Sequence, residues 1–171
     1  VLIHAGTGGV GLTAIYWCKR IGCEIIATAG SKMKCDHLRN NGIKYIASSR
    51  DADAFRESMK SFGKVDVVLN SLSGKFIEYS LEALNVGGQF CEIGKRGIWT
   101  PSEVQTMRKD VNYHIIAIDK LMTDDPHQFE RLFRDSIAFG IPDLPLTTFA
   151  FENVVDAFRY MQNAQHIGKV I

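Results

Sequence analysis

Gly6-x-Gly8-x-x-Gly11 is the spacing in this chain with the clearest chemical use. Three glycines at that interval suit a loop that carries the diphosphate of a dinucleotide. Gly6 permits a tight turn out of a strand. Gly8 lets backbone approach a phosphate where a β-carbon would collide, and Gly11 lets the following helix pack closely. The helix start then offers free N–H groups and a partial positive charge to the anion. A glycine-rich turn used only for strand–helix packing has the same spacing. Context favours the cofactor loop: the apolar run Val1–Ile3 precedes it, a helical pattern with Leu12, Ile15, Tyr16 and Cys18 follows, and a strand-like run, Glu24 to Thr28, comes one βαβ unit later.

The end of that second strand bears on which nucleotide fits. An Asp or Glu there would hold the ribose 2′-hydroxyl of NAD and repel a 2′-phosphate. This chain has Ala29-Gly30-Ser31 instead, with Lys32, Lys34 and Arg39 on the next helix and Arg50 after the third strand. Ser31 and a lysine can contact a phosphate through charge-assisted hydrogen bonds, so NADPH is expected over NADH. Each lysine alone also reads as part of a solvated helix face. Further along, Glu92-Ile93-Gly94-Lys95-Arg96 closes the fifth strand. Lys95 can hold an anionic group or donate a proton, or belong to an exposed basic turn. Asp119 follows Ile116-Ala117-Ile118, where a carboxylate either points into a ligand cleft or caps a following helix.

These residues need a scaffold, and the chain alternates strands and helices. Helices are expected over Gly9–Ile21, Lys32–Asn40 with Ser31 as cap, Asp51–Ser61 with Ala54, Phe55 and Met59 inward, and Phe76–Leu84 with Ile77, Leu81 and Leu84 inward. A helix starting at Pro101 with Thr100 as cap, and one over Pro126–Phe139 with Phe129, Leu132, Phe133 and Ile137 inward, complete the set. Strands are expected at Glu24–Thr28, Tyr45–Ala47, Val65–Leu69, Gln89–Ile93 after a turn at Gly87-Gly88, and Tyr113–Ile118, besides the first. The β-branched run Val65–Leu69 suits a strand buried on both faces. The alternation predicts an α/β fold: a Rossmann doubly wound parallel six-stranded sheet with helices on both faces. Residues 1–140 are expected to form the NADP-binding domain. Residues 141–171 differ: the proline-broken Ile141–Pro145, an extended Thr147–Phe151 and a helix over Val154–Met161 read as a linker and partial return into a neighbouring domain.

Composition excludes other classes. A net charge of +1 gives no case for nucleic acid or a membrane surface, and no apolar run approaches the roughly 20 residues of a membrane span. No charged-then-apolar leader precedes the first strand. Cys18, Cys23, Cys35 and Cys91 form no CxxC pair and no zinc-ligand spacing with the five histidines, so no metal is expected. Free thiols suit a reducing, cytoplasmic compartment. His4 reads as a core residue, and no Ser-His-Asp order, P-loop lysine or HExxH is present.

Several blocks together resemble a known family: His4-Ala5-Gly6-Thr7-Gly8-Gly9-Val10-Gly11, Ala27-Thr28-Ala29-Gly30-Ser31, Asp66-Val67-Val68-Leu69-Asn70-Ser71-Leu72, Glu92-Ile93-Gly94-Lys95, and Ala157-Phe158-Arg159-Tyr160-Met161 with His166-Ile167-Gly168-Lys169-Val170. In order and at these separations they resemble the enoyl reductase domain of type I polyketide synthases and animal-type fatty acid synthases, within the medium-chain dehydrogenase/reductase superfamily. The resemblance implies hydride transfer from NADPH to the β-carbon of a trans-2-enoyl thioester on an acyl carrier protein, without zinc. It implies Lys95 and Asp119 as proton donors and 2′-phosphate contacts on Ser31, Lys34 and Arg50; where relatives often carry a second basic residue, this chain has Cys35. The remaining cofactor contacts fall on Gly6, Thr7, Gly8, Gly9, Val10, Gly11, Asn70, Ser71, Leu72 and Gly94. It also implies a partner acyl carrier protein, neighbouring domains of a megasynthase, a homodimer in the parent, and a GroES-like substrate domain that these residues do not contain. A free-standing quinone oxidoreductase and a non-catalytic megasynthase module are the alternatives. A Rossmann-like methyltransferase would want an acid where Ala29-Gly30 stand.

Overall fold

A computed structural model describes residues 1–171. Six strands, β1 (Leu2–Ile3), β2 (Ile26–Ala29), β3 (Tyr45–Ser48), β4 (Val65–Asn70), β5 (Leu84–Glu92) and β6 (Asn112–Ile115), form one sheet in the order β3-β2-β1-β4-β5-β6. Every pairing is parallel. The order reverses between β1 and β4, and in such sheets ligands bind at that switch point, outside the carboxyl ends of the strands.

Successive residues of the strands face opposite sides. Leu2, Ile26, Val68 and Phe90 point into one core, with Phe55 and Met59 of α3 (Ala52–Phe62), Ile77 and Leu81 of α4 (Lys75–Ala83), and Val104 of α5 (Pro101–Met107). Ile3 and Ala27 point into the other, with Ile15 of α1 (Gly9–Arg20) and Leu38 of α2 (Lys32–Asn40). Both faces are therefore covered, as the buried β-branched run of β4 requires. Helix starts follow their caps: Asp51 Oδ1 accepts from Ala54 N at 3.0 Å, Ser31 Oγ from Lys34 N at 3.4 Å, and Thr100 and Glu103 form a full capping box.

Four expectations are corrected. The sixth strand ends at Ile115, not Ile118; after the bond from Ile116 N to Glu92 O at 2.8 Å the chain leaves the sheet, and Ile118–Asp124 forms a helix, α6. Gly87-Gly88 is not a turn ahead of a strand but an irregularity inside β5, where the register on β4 shifts between Val65 and Val67. Gly87 takes the left-handed φ of 75° and donates to Asp110 O at 2.6 Å. Ala54 is exposed, and Ala52 packs on the core in its place. On α7 (Pro126–Phe139), Leu132, Phe133 and Ile137 are expected inward but lie open, Phe133 56% exposed, because no element of this chain covers that face.

The tail places β7 (Leu146–Thr147) parallel to β8 (Lys169–Val170), with α8 (Val154–Gln162) between them. It is tied to the first βα unit: Trp17 Nε1 donates to Gly140 O at 2.8 Å and Gly168 N to Thr7 O at 2.8 Å.

Candidate functional site

The glycine loop is built at the switch point. Ala5 N donates to Thr28 Oγ1 at 3.0 Å and Gly6 N to Thr28 O at 2.9 Å, pinning the loop to β2. Gly8 N closes the turn on Ala5 O at 2.9 Å. The left-handed residue of the turn is Ala5, with φ 47°, so Gly6 is needed for close approach instead. A β-carbon on Gly6 would lie 2.9 Å from that of Ala27. One on Gly11 would collide with Ala5 O and lie 2.8 Å from the Gly6 Cα, so the helix can seat on the loop only as glycine. At Gly8 the nearest atom to such a carbon is Ala5 O at 3.4 Å, which leaves the backbone open toward the cleft. Helix α1 has neither a side-chain cap nor an acid in its first turn. Its amides and dipole thus remain available to an anion.

The cleft outside β1 and β2 has a volume of about 460 Å³. Thr7, Gly8, Ser31, Lys34, Arg50 and Leu72 line it, as do Ala5, Thr28, Ala29, Gly30, Met33 and Ser49. Its far wall is Asn163, Ala164, Gln165 and His166. Arg50 lies over Gly30: a β-carbon there would sit 2.8 Å from Arg50 Nε. Burial, and then the neighbouring Arg50, pulls the Lys34 ammonium below its ordinary range. Burial, and then Lys34, does the same to the His166 imidazole. Neither Lys34 nor Arg50 makes an ion pair, whereas Lys32 and Arg39 both pair with Asp36 on the outer face of α2. Lys34 and Arg50 therefore both line the cleft with no carboxylate neutralising them.

Not every expected contact lines this cleft. Asn70 is fully buried and its amide is held by His4, Leu72 and Glu92. Gly94 N donates to Glu92 Oε1 at 2.6 Å, and Ser71, Gly9 and Val10 lie on the loop and helix surfaces beside the cleft. Lys95 and Asp119, 24 residues apart, do come together: Nζ donates to Oδ2 at 2.5 Å, with the side chains 70% and 67% exposed. The lysine's hydrogen bond holds the Asp119 carboxyl below the usual carboxylate range. Asp119 reaches Lys95 from the first turn of α6 rather than from a strand end.

Three contributors lie outside the glycine loop and the cations that follow the strand ends. Asn163, Ala164 and Gln165 are distant along the chain and belong to no pattern of their own, and His166 opens the block that runs to Val170. Lys169 follows Gly168, which bridges to Gly8, and lays its stem over Gly9: a β-carbon on Gly9 would lie 2.9 Å from Lys169 Nζ. Glu92 opens the Glu92–Lys95 block, but nothing in that block tells that its side chain is fully buried.

A profile of the zinc-binding dehydrogenases matches residues 9–134. The chain belongs to the zinc-binding dehydrogenase family. Within that family it stands with the cofactor-binding part of enoyl reductases. The X-ray structure of the nucleotide-binding subdomain of the PpsC enoyl reductase domain from Mycobacterium tuberculosis is 30% identical, with a TM-score of 0.71 over 91% of this chain and 81% of that one. The CurK enoyl reductase is 40% identical with a TM-score of 0.85, over 99% of this chain and 52% of that one. The polyketide synthase GfsB of Streptomyces halstedii is 40% identical over all of this chain and 3% of its own length. The chain thus spans about half of a solved enoyl reductase and a small part of the synthase. The residues do not fit the metal of the family description: no three His, Cys, Asp or Glu side chains stand together as a metal site. No helix is long and apolar enough to cross a membrane.

Proposed function

We propose that this chain is the NADPH-binding half of a reductase that saturates trans-2-enoyl thioesters carried on an acyl carrier protein. Residues 1–140 form the cofactor domain, and 141–171 lead toward a substrate domain. The observation that carries the cofactor assignment is the pair Lys34 and Arg50 beside Ala29-Gly30-Ser31, two cations without a carboxylate where an NAD site would place one. The adenosine 2′-phosphate rests between Ser31, Lys34 and Arg50, and the diphosphate over Gly8 and the first turn of α1. Lys169, lying over Gly9, adds a positive charge on that side. NADPH, when bound, supplies the hydride that saturates the β-carbon.

The chain's own residues then handle charge and proton. Negative charge develops on the thioester as the β-carbon is saturated, and the Lys95 ammonium stabilises it and delivers a proton from Nζ to the α-carbon. Asp119 holds that ammonium through its 2.5 Å hydrogen bond. Because both groups are open to solvent here, the proton is replaced from water. The 40% identity both to a polyketide synthase and to an enoyl reductase supports this chemistry over quinone reduction. The test is turnover by the full-length protein with NADPH and a crotonyl thioester. Enoyl reduction that fails with NADH and falls sharply in Lys95→Met is expected; a protein that reduces quinones and leaves the thioester untouched would contradict the reading.

A further inference from the structure

Glu92 closes β5 fully buried, yet pairs with no cation; its partners are neutral donors. Asn70 Nδ2 donates to Oε2 at 2.6 Å and Gly94 N donates to Oε1 at 2.6 Å. The orientation of the Asn70 amide is fixed from both sides. Its Nδ2 also donates to Leu72 O at 2.9 Å, and its Oδ1 accepts from Leu72 N at 3.3 Å. Oδ1 is then left to accept from His4 Nδ1 at 2.6 Å. His4 therefore carries its proton on Nδ1, and Nε2 accepts from the Ser80 hydroxyl at 3.2 Å. Each donor in this array meets an acceptor, and the array ends at Glu92 with both carboxylate oxygens receiving. A neutral amide at position 92 would satisfy one donor and turn an NH₂ against the other.

The array runs from α4 through His4, one residue past β1, to β4 and β5, and stops at the turn that carries Lys95. Gly94 leaves room for that bond: a β-carbon there would lie 2.7 Å from Glu92 Oε1 and 3.3 Å from Ile98 Cγ2 and would push the carboxylate aside. A buried charge is costly and an apolar residue would pack more cheaply, so the carboxylate has a use beyond filling space. The one bond it makes outside the buried array is to the Gly94 amide, next to Lys95.

We propose that Glu92 is the positioning residue for Lys95: its carboxylate grips the Gly94 amide and so fixes the direction from which the Lys95 ammonium reaches Asp119 and the substrate. This rests on the reductase reading above. The test is a double-mutant cycle in the full-length protein, with Glu92→Gln, Lys95→Met and the pair, measuring kcat, KM and the NADPH dissociation constant. Glu92→Gln is expected to lower kcat about 10- to 100-fold, with NADPH affinity within about twofold of wild type. In the Lys95→Met background the same change is expected to cost less than about threefold, since the group it positions is gone. Gly94→Ala, which keeps the carboxylate but forces it off the amide, is expected to reproduce the loss, and it stands in if Glu92→Gln does not fold. An equal loss in both backgrounds, or no loss from either Glu92→Gln or Gly94→Ala, overturns the proposal and leaves the reductase reading intact. Wild-type kcat in Lys95→Met overturns both.

Discussion

Helices α3 and α7 have similarly amphipathic sequences and opposite fates. On α3, which packs on β3 and α4, Phe55 and Met59 are sealed in the core. On α7, Leu132, Phe133 and Ile137 remain open, as do Val155 and Phe158 of α8. No hydrophobic side chain beyond Val104 is buried, so the core belongs to the first five strands and their helices. The periodicity of apolar residues says which face of a helix wants cover; it does not say which chain supplies the cover. The sheet half is complete in itself, whereas α6, α7 and α8 present apolar faces that this chain leaves unfilled.

That contrast can be broken most sharply by truncation. Phe55→Ala is expected to lower unfolding free energy by about 3–5 kcal/mol, and Phe133→Ala by no more than about 0.5 kcal/mol, in urea titrations of the two variants. Comparable losses would mean that the α7 face is packed in solution. A second effect separates the buried array from the surface. His4, with its pKa lowered by burial to about 4 against 6.5 for the free side chain, is neutral when folded and binds a proton when unfolded between those values. Its contribution, about 3 kcal/mol, is fully present above pH 6.5 and is lost as pH falls toward 4. Glu92 has the opposite sign: burial raises its pKa, and the stability its charge costs is recovered as pH falls through that raised value. The difference between wild type and His4→Gln, measured by denaturant melts across pH 4 to 6.5, isolates the histidine; parallel curves would refute it. The smallest effect is expected at the exposed pair. Asp119→Asn is expected to leave the denaturant midpoint unchanged while lowering enoyl reduction, because an exposed ion pair contributes little to folding. A large stability loss there would mark Asp119 as structural.

Much of the sheet was legible in the sequence. Short apolar runs marked all six strands, and Ser31 and Thr100 announced their helices because capping is local chemistry; Asp51, expected inside its helix, is the cap of α3. Asp119 was misplaced by its neighbours: Ile-Ile-Ala-Ile looks like strand, and only the exhaustion of β5 as a partner ends β6 at Ile115. Lys34 and Arg50 were singled out by the family resemblance; spacing alone offered Lys32 and Arg39 equally, and the structure brings Lys34 and Arg50 to the cleft while the other two pair with Asp36. Neither the burial of Glu92 nor the place of Asn163–His166 at the cleft wall was legible. One depends on three strands meeting, the other on a tail returning over the glycine loop, and neither leaves a short-range pattern. The role of Gly6 was also displaced, since Ala5 takes the left-handed turn and Gly6 serves close packing on Ala27.

The most direct test of the cofactor assignment is a fluorescence titration of the full-length protein and its Arg50→Ala variant with NADPH and with NADH. NADPH is expected to bind at least about tenfold tighter than NADH in the wild type, and the difference to vanish largely in Arg50→Ala through loss of NADPH affinity alone. Equal binding of the two cofactors by the wild type, or a preference for NADH, would contradict it.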